Sequence, residues 1–155
     1  EELRRQEEQN KKNDPSYDPG KVNGATGSMM WPCPSCHTIT SPFGWRYHPI
    51  YQTQKYHSGV DIGASYGATI VAADGGTIIT AGTVSGYGNC VVINHGNGTT
   101  TLYGHMSSIA VRVGQKVSKG QTIGYVGSTG NSTGPHLHWE VTVNGVRQNP
   151  LNYAT

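Results

Sequence analysis

Charged residues are scarce in this chain, and acidic residues are almost absent from most of it. Asp, Glu, Lys and Arg make up 13% of the 155 residues. Between Ser41 and Thr155 there are only three acidic residues, Asp61, Asp74 and Glu140. Paired-carboxylate chemistry of the glycosidase kind therefore has almost no candidate residues. The formal net charge of +2 is too small to indicate a nucleic-acid partner.

Long apolar runs are also missing. No stretch approaches the ~18 apolar residues that a membrane-spanning helix needs, so we expect no membrane span in this chain. Short β-prone runs nevertheless recur between Ile70 and Val146, which argues against disorder of the whole chain. A small β domain with a modest core is the class of protein that these observations leave.

The charges that are present concentrate at the N-terminus. Residues 1–12 contain mixed charges and neither Pro nor Gly, which predicts either an exposed helix, able to bind a protein partner, or a disordered tail. Residues 13–28 are rich in Asn, Gly, Pro and Ser and indicate a linker. We therefore expect a tail with linker over 1–28 and a compact domain over 29–155. Because the first residue is Glu, we also expect a longer protein with an upstream targeting or tethering segment.

Short β-prone runs bounded by glycines predict an all-β domain. The runs are residues 69–73, 77–81, 90–94, 99–103, 109–113, 122–126 and 137–143. Asn97-Gly98 and Asn144-Gly145 predict hairpin turns, and the glycines within 113–126 predict a further hairpin. We expect an antiparallel β-sandwich or barrel-like domain whose long loops frame a groove.

The last long run, from His136 to Val143, carries the strongest functional signal. Side chains alternate along a strand, so His136, His138 and Glu140 share one face while Leu137 lies on the other. The apolar face belongs in the core. Two imidazoles and a carboxylate on an open face contribute little to the stability of the fold. Such a group is typical of a functional site.

Three separate segments supply candidate metal ligands and proton carriers. His57 and Asp61 lie four residues apart, His136 and His138 two apart, and His105 lies between these segments. Catalytic zinc typically has three N/O ligands and one open position, and a further imidazole can move protons near neutral pH. Either motif alone is more often a pair of surface residues. Together they predict a zinc site.

Several motifs in the same order make the chain similar to a known family. It resembles the LytM/lysostaphin-type zinc endopeptidases, the glycyl-glycine endopeptidases that cut peptidoglycan cross-bridges, from about residue 40 to residue 150. The matching stretches are Ser-Pro-Phe-Gly-Trp-Arg (41–46), His-Ser-Gly-Val-Asp-Ile (57–62), Ala-Ala-Asp-Gly-Gly (72–76), Leu-Tyr-Gly-His-Met (102–106) and Gly-Ser-Thr-Gly-Asn-Ser-Thr-Gly-Pro-His-Leu-His-Trp-Glu (127–140).

The resemblance implies a role for each of the five residues. By this resemblance His57, Asp61 and His138 bind one zinc ion, and His105 and His136 are the catalytic histidines. All five positions carry the family's residue types, which argues against a degenerate, non-catalytic member.

Four further residues are assigned weaker roles. Some family members hold the oxyanion with a Tyr shortly before the first ligand, which makes Tyr51 and Tyr56 candidates for substrate binding. His48 is a candidate for the mouth of the cleft, with an exposed loop position as its alternative. Glu140 either orients a zinc ligand or is a surface charge.

The function implied is a zinc-dependent endopeptidase that hydrolyses peptidoglycan peptide cross-links through a metal-activated water. The bond cut is either glycyl-glycine or D-Ala–diamino acid. One alternative is a catalytically silent domain that binds the wall or a protein partner, and another is a carboxypeptidase acting on D-Ala termini. Either activity implies an extracytoplasmic protein that is secreted, wall-associated or membrane-tethered.

The three cysteines and one histidine favour structural roles. Cys33-Pro-Ser-Cys36 allows a zinc knuckle, a thioredoxin-type motif or a disulfide, and an extracytoplasmic domain favours the Cys33–Cys36 disulfide. Cys90 lies in an apolar run and is predicted to be a buried thiol. His95 precedes a predicted turn and is expected to be exposed.

Overall fold

The computed structural model describes residues 25–48, 53–130, 132 and 134–154. The strands of these residues are β1 (Thr38–Ser41), β2 (Gly44–His48), β3 (Thr53–His57), β4 (Val60–Gly63), β5 (Thr69–Val71), β6 (Gly76–Val84), β7 (Gly88–Gly96), β8 (Thr99–Ile109), β9 (Lys116–Val117), β10 (Thr122–Val126), β11 (His136–Val143) and β12 (Val146–Gln148). A 3-10 helix, Pro150–Asn152, follows them. No helix in these ranges is long and apolar enough to cross a membrane.

One antiparallel sheet dominates the fold. Its strand order is β1-β4-β11-β8-β7-β6-β9, with β10 paired to both β5 and β8 and β12 paired to β11. The strands β2 and β3 form a separate two-stranded sheet. The all-β prediction is confirmed, and the large sheet is not a closed barrel.

The core lies against β8 and β11 at the centre of the sheet. Leu137, Trp139 and Val141 are fully buried, as the alternation along β11 predicts. Trp139 lies opposite the equally buried Tyr103 of β8, so two large rings fill the middle of the core. Because this face of β11 is packed in the core, the opposite face has a fixed orientation. The opposite face carries His136 and His138.

Six of the seven predicted strands are present, and both Asn-Gly turns are confirmed. Asn97 and Gly98 have φ values of 52° and 77°, and Asn144 and Gly145 have 51° and 79°. Positive φ at both central residues is the signature of the tight hairpin turn that Asn-Gly favours. These turns connect β7 to β8 and β11 to β12.

Two local predictions are wrong. The run 109–113 is not a strand, because β8 ends at Ile109 and the chain then turns. Residues 113–126 do not form a hairpin either, since β9 pairs with β6 whereas β10 pairs with β5 and β8. A local hydrogen bond from the Gln115 amide to the Arg112 carbonyl oxygen turns the first segment, and β9 and β10 pair with strands outside the second segment.

His95 is buried, contrary to the prediction. Its side chain is 3% exposed, with Nδ1 at 2.7 Å from the Gly75 carbonyl oxygen and Nε2 at 2.8 Å from Thr101 Oγ1. Two polar partners within the fold allow the ring to be buried. Cys90 is fully buried, as predicted.

Candidate metal centre and active site

The pairing of β11 with both neighbours brings the predicted ligands together. His138 lies opposite Asp61 of β4 on one side and Gly104 of β8 on the other. His57 ends β3, three residues before β4 begins. The cleft of about 360 Å³ at this place is lined by His57, Ser58, Asp61, Gly86, Tyr87, His105 and His138.

The three predicted ligands form a compact donor set. One donor atom each from His57, Asp61 and His138 lies within 4.8 Å of the others, a cluster able to hold a metal ion. The separation of His57 Nε2 from Asp61 Oδ2 is 3.3 Å, close to the spacing of neighbouring ligands around tetrahedral zinc with bonds of about 2 Å. His138 Nδ1 lies 2.8 Å from Asp61 Oδ1. Two imidazoles and a carboxylate are a ligand type that zinc accepts.

The other nitrogen of each ligand histidine has a partner that fixes the ring. His57 Nδ1 lies 2.9 Å from the carbonyl oxygen of Pro42. A carbonyl only accepts, so Nδ1 carries a proton, and Nε2 is the atom that faces the cluster and would bind a metal once it is unprotonated. His138 Nε2 lies 2.8 Å from Glu140 Oε2, which leaves its Nδ1 for the cluster. Such outer partners are the usual companions of metal-bound histidine, so the residues fit a zinc ion.

Glu140 is a buried member of the site and not a surface charge. The side chain is 1% exposed. Its Oε2 accepts hydrogen bonds from Ser58 Oγ and Tyr87 Oη, both at 2.6 Å, and Oε1 is 2.7 Å from Arg147 Nε. A buried carboxylate is stable only when hydrogen bonds and an opposite charge compensate for its loss of water, and these three partners provide both. The face of β11 that carries His138 is thus covered, so the prediction of an open face is wrong.

The charges of the cluster stabilise one another. Burial alone would raise the pKa of Asp61, but hydrogen bonds from His138 and His57 hold it well below its usual range. Burial alone would lower the pKa of His138, and its hydrogen bonds to Asp61 and Glu140 outweigh burial and raise it. The pKa of Glu140 is lowered in the same way, against its burial, chiefly by His138. Both carboxylates are therefore ionised near neutral pH, as metal ligands and their partners must be.

His105 of β8 and His136 of β11 form a second pair beside the cluster. Their ring centroids are 4.7 Å apart. His105 Nδ1 lies 2.6 Å from the Thr129 carbonyl oxygen, and His136 Nδ1 lies 2.9 Å from that of Gly134. Each Nδ1 therefore carries a proton, and the neutral form of either ring keeps its Nε2 lone pair for accepting another. Burial lowers the pKa of His105, which favours this neutral form.

The weaker site predictions have different outcomes. Tyr51 lies outside the described residues. Tyr56 belongs to β3 and His48 to β2, but their side chains are outside the described part of the chain, so their substrate-binding roles stay predictions.

Sequence reasoning missed Tyr87, which lines the cleft and contacts Glu140. The signal available was a large aromatic residue between two glycines, in a turn where a small polar residue is more usual.

Cys33 and Cys36 adjoin the edge of the main sheet. The Cys36 amide donates to the Cys33 carbonyl oxygen at 3.0 Å, closing a turn. Cys33 is fully buried and Cys36 is half-buried, and both are thiols in this structure. The disulfide stays a prediction. His37 is exposed and stacks on Trp31, so it is not part of a metal cluster with the cysteines in the described residues.

Comparison with known proteins agrees with this geometry. The family model described as Peptidase family M23 matches residues 55–150. The DD-carboxypeptidase/endopeptidase Mpg of Neisseria meningitidis serogroup B is 48% identical over 116 residues, which are 75% of this chain and 27% of that protein. This chain therefore spans about a quarter of the length of that curated relative.

Solved structures share the fold. A zinc containing peptidase from Vibrio cholerae superposes with a TM-score of 0.72 at 33% identity, covering 82% of this chain and 39% of that one. The antimicrobial peptidase lysostaphin from Staphylococcus simulans superposes with a TM-score of 0.66 at 33% identity, covering 76% of this chain and 48% of that one.

Proposed function

Because the chain belongs to peptidase family M23, we propose that it is a zinc-dependent endopeptidase that hydrolyses peptide cross-links of bacterial peptidoglycan. The observation that carries the proposal is a cleft that holds a His-Asp-His donor set and His105, with His136 beside His105 at 4.7 Å between ring centroids. Peptidases of this family are zinc-dependent. The peptidase domain is assigned to residues 29–155, and a wall substrate implies an extracytoplasmic location.

The proposed mechanism divides the five residues into two groups. His57, Asp61 and His138 hold the zinc ion. When bound, zinc supplies Lewis-acid polarisation of the scissile carbonyl and acidifies water. The Nε2 atom of His105 or His136 takes the proton of the attacking water and later gives it to the leaving amine. The other histidine of the pair, in its imidazolium form with Nε2 protonated, donates a hydrogen bond to the developing oxyanion.

The bond cut is proposed to lie between D-residues of the cross-link. The relative from Neisseria is named a DD-carboxypeptidase/endopeptidase, and this name supports a D-Ala–diamino acid bond over a glycyl-glycine bond. It also supports carboxypeptidase action on D-Ala termini as a second activity of the same site.

Mass spectrometry of muropeptides tests the proposal. Zinc-loaded protein is incubated with purified D-Ala–diamino acid cross-linked peptidoglycan and, separately, with glycine-bridged peptidoglycan. The matched controls are His136→Ala, which keeps the donor set, and His138→Ala, which removes a ligand. New peptide ends are expected only with the unmutated protein and the first substrate, and release of free D-Ala would show the second activity.

Three outcomes would contradict parts of the proposal. Cleavage of only the glycine-bridged substrate would overturn the choice of bond. No new ends on either substrate, with zinc bound at one ion per chain, would leave the silent binding domain as the better account. Full zinc content in His138→Ala would overturn the ligand assignment.

A further inference from the structure

His105 has a backbone conformation that L-residues seldom adopt. Its φ is 60°, in the left-handed region where non-glycine residues are uncommon. Two backbone hydrogen bonds hold the residue there. The His105 amide donates to the Tyr87 carbonyl oxygen at 2.7 Å, and the Gly127 amide donates to the His105 carbonyl oxygen at 3.0 Å. Such strain persists only where the surroundings over-determine it, and it concentrates at functional sites.

The Nδ1 atom of the His105 ring is held by Thr129. Nδ1 donates to the Thr129 carbonyl oxygen at 2.6 Å, so this carbonyl selects the tautomer in which Nε2 is free. The ring stands near its partner His136, at 4.7 Å between centroids. A rotated or flipped ring would present a protonated nitrogen to the substrate, and that nitrogen could not act as a base.

The side chain of Thr129 fixes the position of this carbonyl. Its Oγ1 donates to the Met106 carbonyl oxygen of β8 at 2.8 Å and accepts from the Asn89 amide of β7 at 3.0 Å. One hydroxyl therefore ties the loop that follows β10 to two strands of the main sheet. The hydroxyl bonds to β7 and β8, while the carbonyl oxygen of the same residue accepts from the His105 ring.

Two glycines allow the loop to come this close. A β-carbon added to Gly88 would overlap Thr129, and one added to Gly130 would overlap the backbone of Gly88. Both glycines have positive φ, 67° and 75°. The contact between the loop and the start of β7 therefore depends on the absence of side chains at both positions.

We infer that Thr129 is a positioning residue that sets the tautomer and direction of the His105 ring through its own carbonyl. The inference rests on the proposed function for the role of His105 in proton transfer, but the geometry it describes does not. The competing account is that Thr129 only satisfies two backbone groups and contributes to stability, in which case His105 would keep its tautomer without it.

Two variants at one position separate these accounts. Thr129→Val keeps the shape of the side chain and removes both hydrogen bonds, whereas Thr129→Ser keeps the hydroxyl. The tautomer is measured in zinc-loaded protein at mildly alkaline pH by long-range 1H–15N correlation of imidazole signals, with the His105 signal assigned by comparison with His105→Gln. Muropeptide cleavage and zinc content are measured on the same samples.

The inference predicts a loss in one variant and a rescue in the other. Thr129→Val should lose the pure Nδ1–H signal of His105 and lower kcat about 100-fold, since a displacement of about 1 Å at a catalytic group has that effect. KM and zinc content should change less than about twofold, and Thr129→Ser should restore both signal and kcat. A Thr129→Val protein that keeps the Nδ1–H tautomer would overturn the inference, whether or not the unmutated protein is active.

Gly88→Ala provides a second test should Thr129→Val fold poorly. The added methyl group displaces the loop without removing any hydrogen-bonding group, so the His105 tautomer and kcat should change as in Thr129→Val. Gly114→Ala is the matched control, because Gly114 has a similar positive φ of 90° but nothing within 4 Å of an added β-carbon. Equal tautomer spectra for Gly88→Ala and the unmutated protein would contradict the inference.

Discussion

At the scale of single residues, the two histidines of the donor set, His57 and His138, are oriented by atoms that lie outside it. The Pro42 carbonyl oxygen fixes the His57 ring, and Glu140 fixes the His138 ring. Glu140 itself receives two short hydrogen bonds and an ion pair. A carboxylate with this many donors has one stable position, so the direction of His138 Nδ1 is set before a metal arrives.

Glu140→Gln is expected to lower zinc affinity about 10–100-fold, the usual effect of losing a partner of a metal-bound histidine. The amide replaces one acceptor oxygen with an NH2 group, which in the place of Oε2 cannot accept from Ser58, Tyr87 or His138 and in the place of Oε1 cannot accept from Arg147. The measurement is competition for zinc against a chromophoric chelator, with circular dichroism to check folding.

Tyr87→Phe is the control for Glu140→Gln. It removes one of the hydrogen bonds to Oε2 and leaves the carboxylate in place, so a smaller loss of zinc affinity is expected. Unchanged affinity in Glu140→Gln would show that Glu140 serves stability alone.

At the scale of elements, the β7–β8 hairpin contains a buried chain of hydrogen bonds that needs a neutral His95. The Ala73 amide donates to Tyr103 Oη, the hydroxyls of Tyr103 and Thr101 continue the chain, and Thr101 Oγ1 meets His95 Nε2. The other nitrogen, Nδ1, donates to Gly75. Protonation of Nε2 would break this order, and burial lowers the pKa of His95.

His95 is therefore expected to make the fold sensitive to acid. Its folded-state pKa lies below the unfolded value of about 6.5, so the unfolded chain binds more protons at acid pH. The stability that the neutral ring contributes is fully present above the unfolded-state pKa of about 6.5. It is lost as the pH falls through the folded-state pKa. Urea unfolding between about pH 8 and pH 5 should show a smaller decrease in the free energy of unfolding for His95→Asn than for the unmutated protein.

His37→Asn is the control for the acid prediction. It removes a histidine that is exposed and should leave the pH dependence of unfolding unchanged. Parallel curves for His95→Asn and the unmutated protein would mean that the buried ring does not set acid stability.

At the scale of the whole molecule, the donor set joins segments that are distant in sequence. Asp61 and His138 are 77 residues apart, and each belongs to a different strand of the main sheet. An ion bound by both links β4 to β11 in the folded state and has no preformed site in the unfolded chain. Metal binding is therefore coupled to the stability of the sheet.

Zinc removal is expected to lower the melting temperature of this protein. At a free zinc concentration about 100 times Kd, binding adds about 2.7 kcal/mol to the free energy of unfolding, which corresponds to about 5–10 °C for a chain of this size. Differential scanning calorimetry before and after chelation measures the shift. His138→Ala should show no shift, and an equal shift in that variant would place the stabilising ion elsewhere.

Local sequence pattern determined a large part of this protein. The alternation from His136 to Val143 fixed which residues of β11 enter the core, and Asn-Gly pairs fixed two hairpin turns, because both depend on neighbouring residues alone. The spacing of His57, Asp61, His105, His136 and His138, with the family resemblance, was enough to name the cluster that the structure brings together.

The tertiary structure decided what depends on contacts between distant segments. Only the fold shows that Tyr87 and Arg147 contact Glu140, that the Thr129 carbonyl oxygen meets the His105 ring, and that Gly75 and Thr101 contact the buried His95. The same holds for β9 and β10, whose partners are not adjacent in sequence. Burial and long-range strand pairing depend on how distant segments pack together. They therefore cannot be predicted from a local sequence pattern.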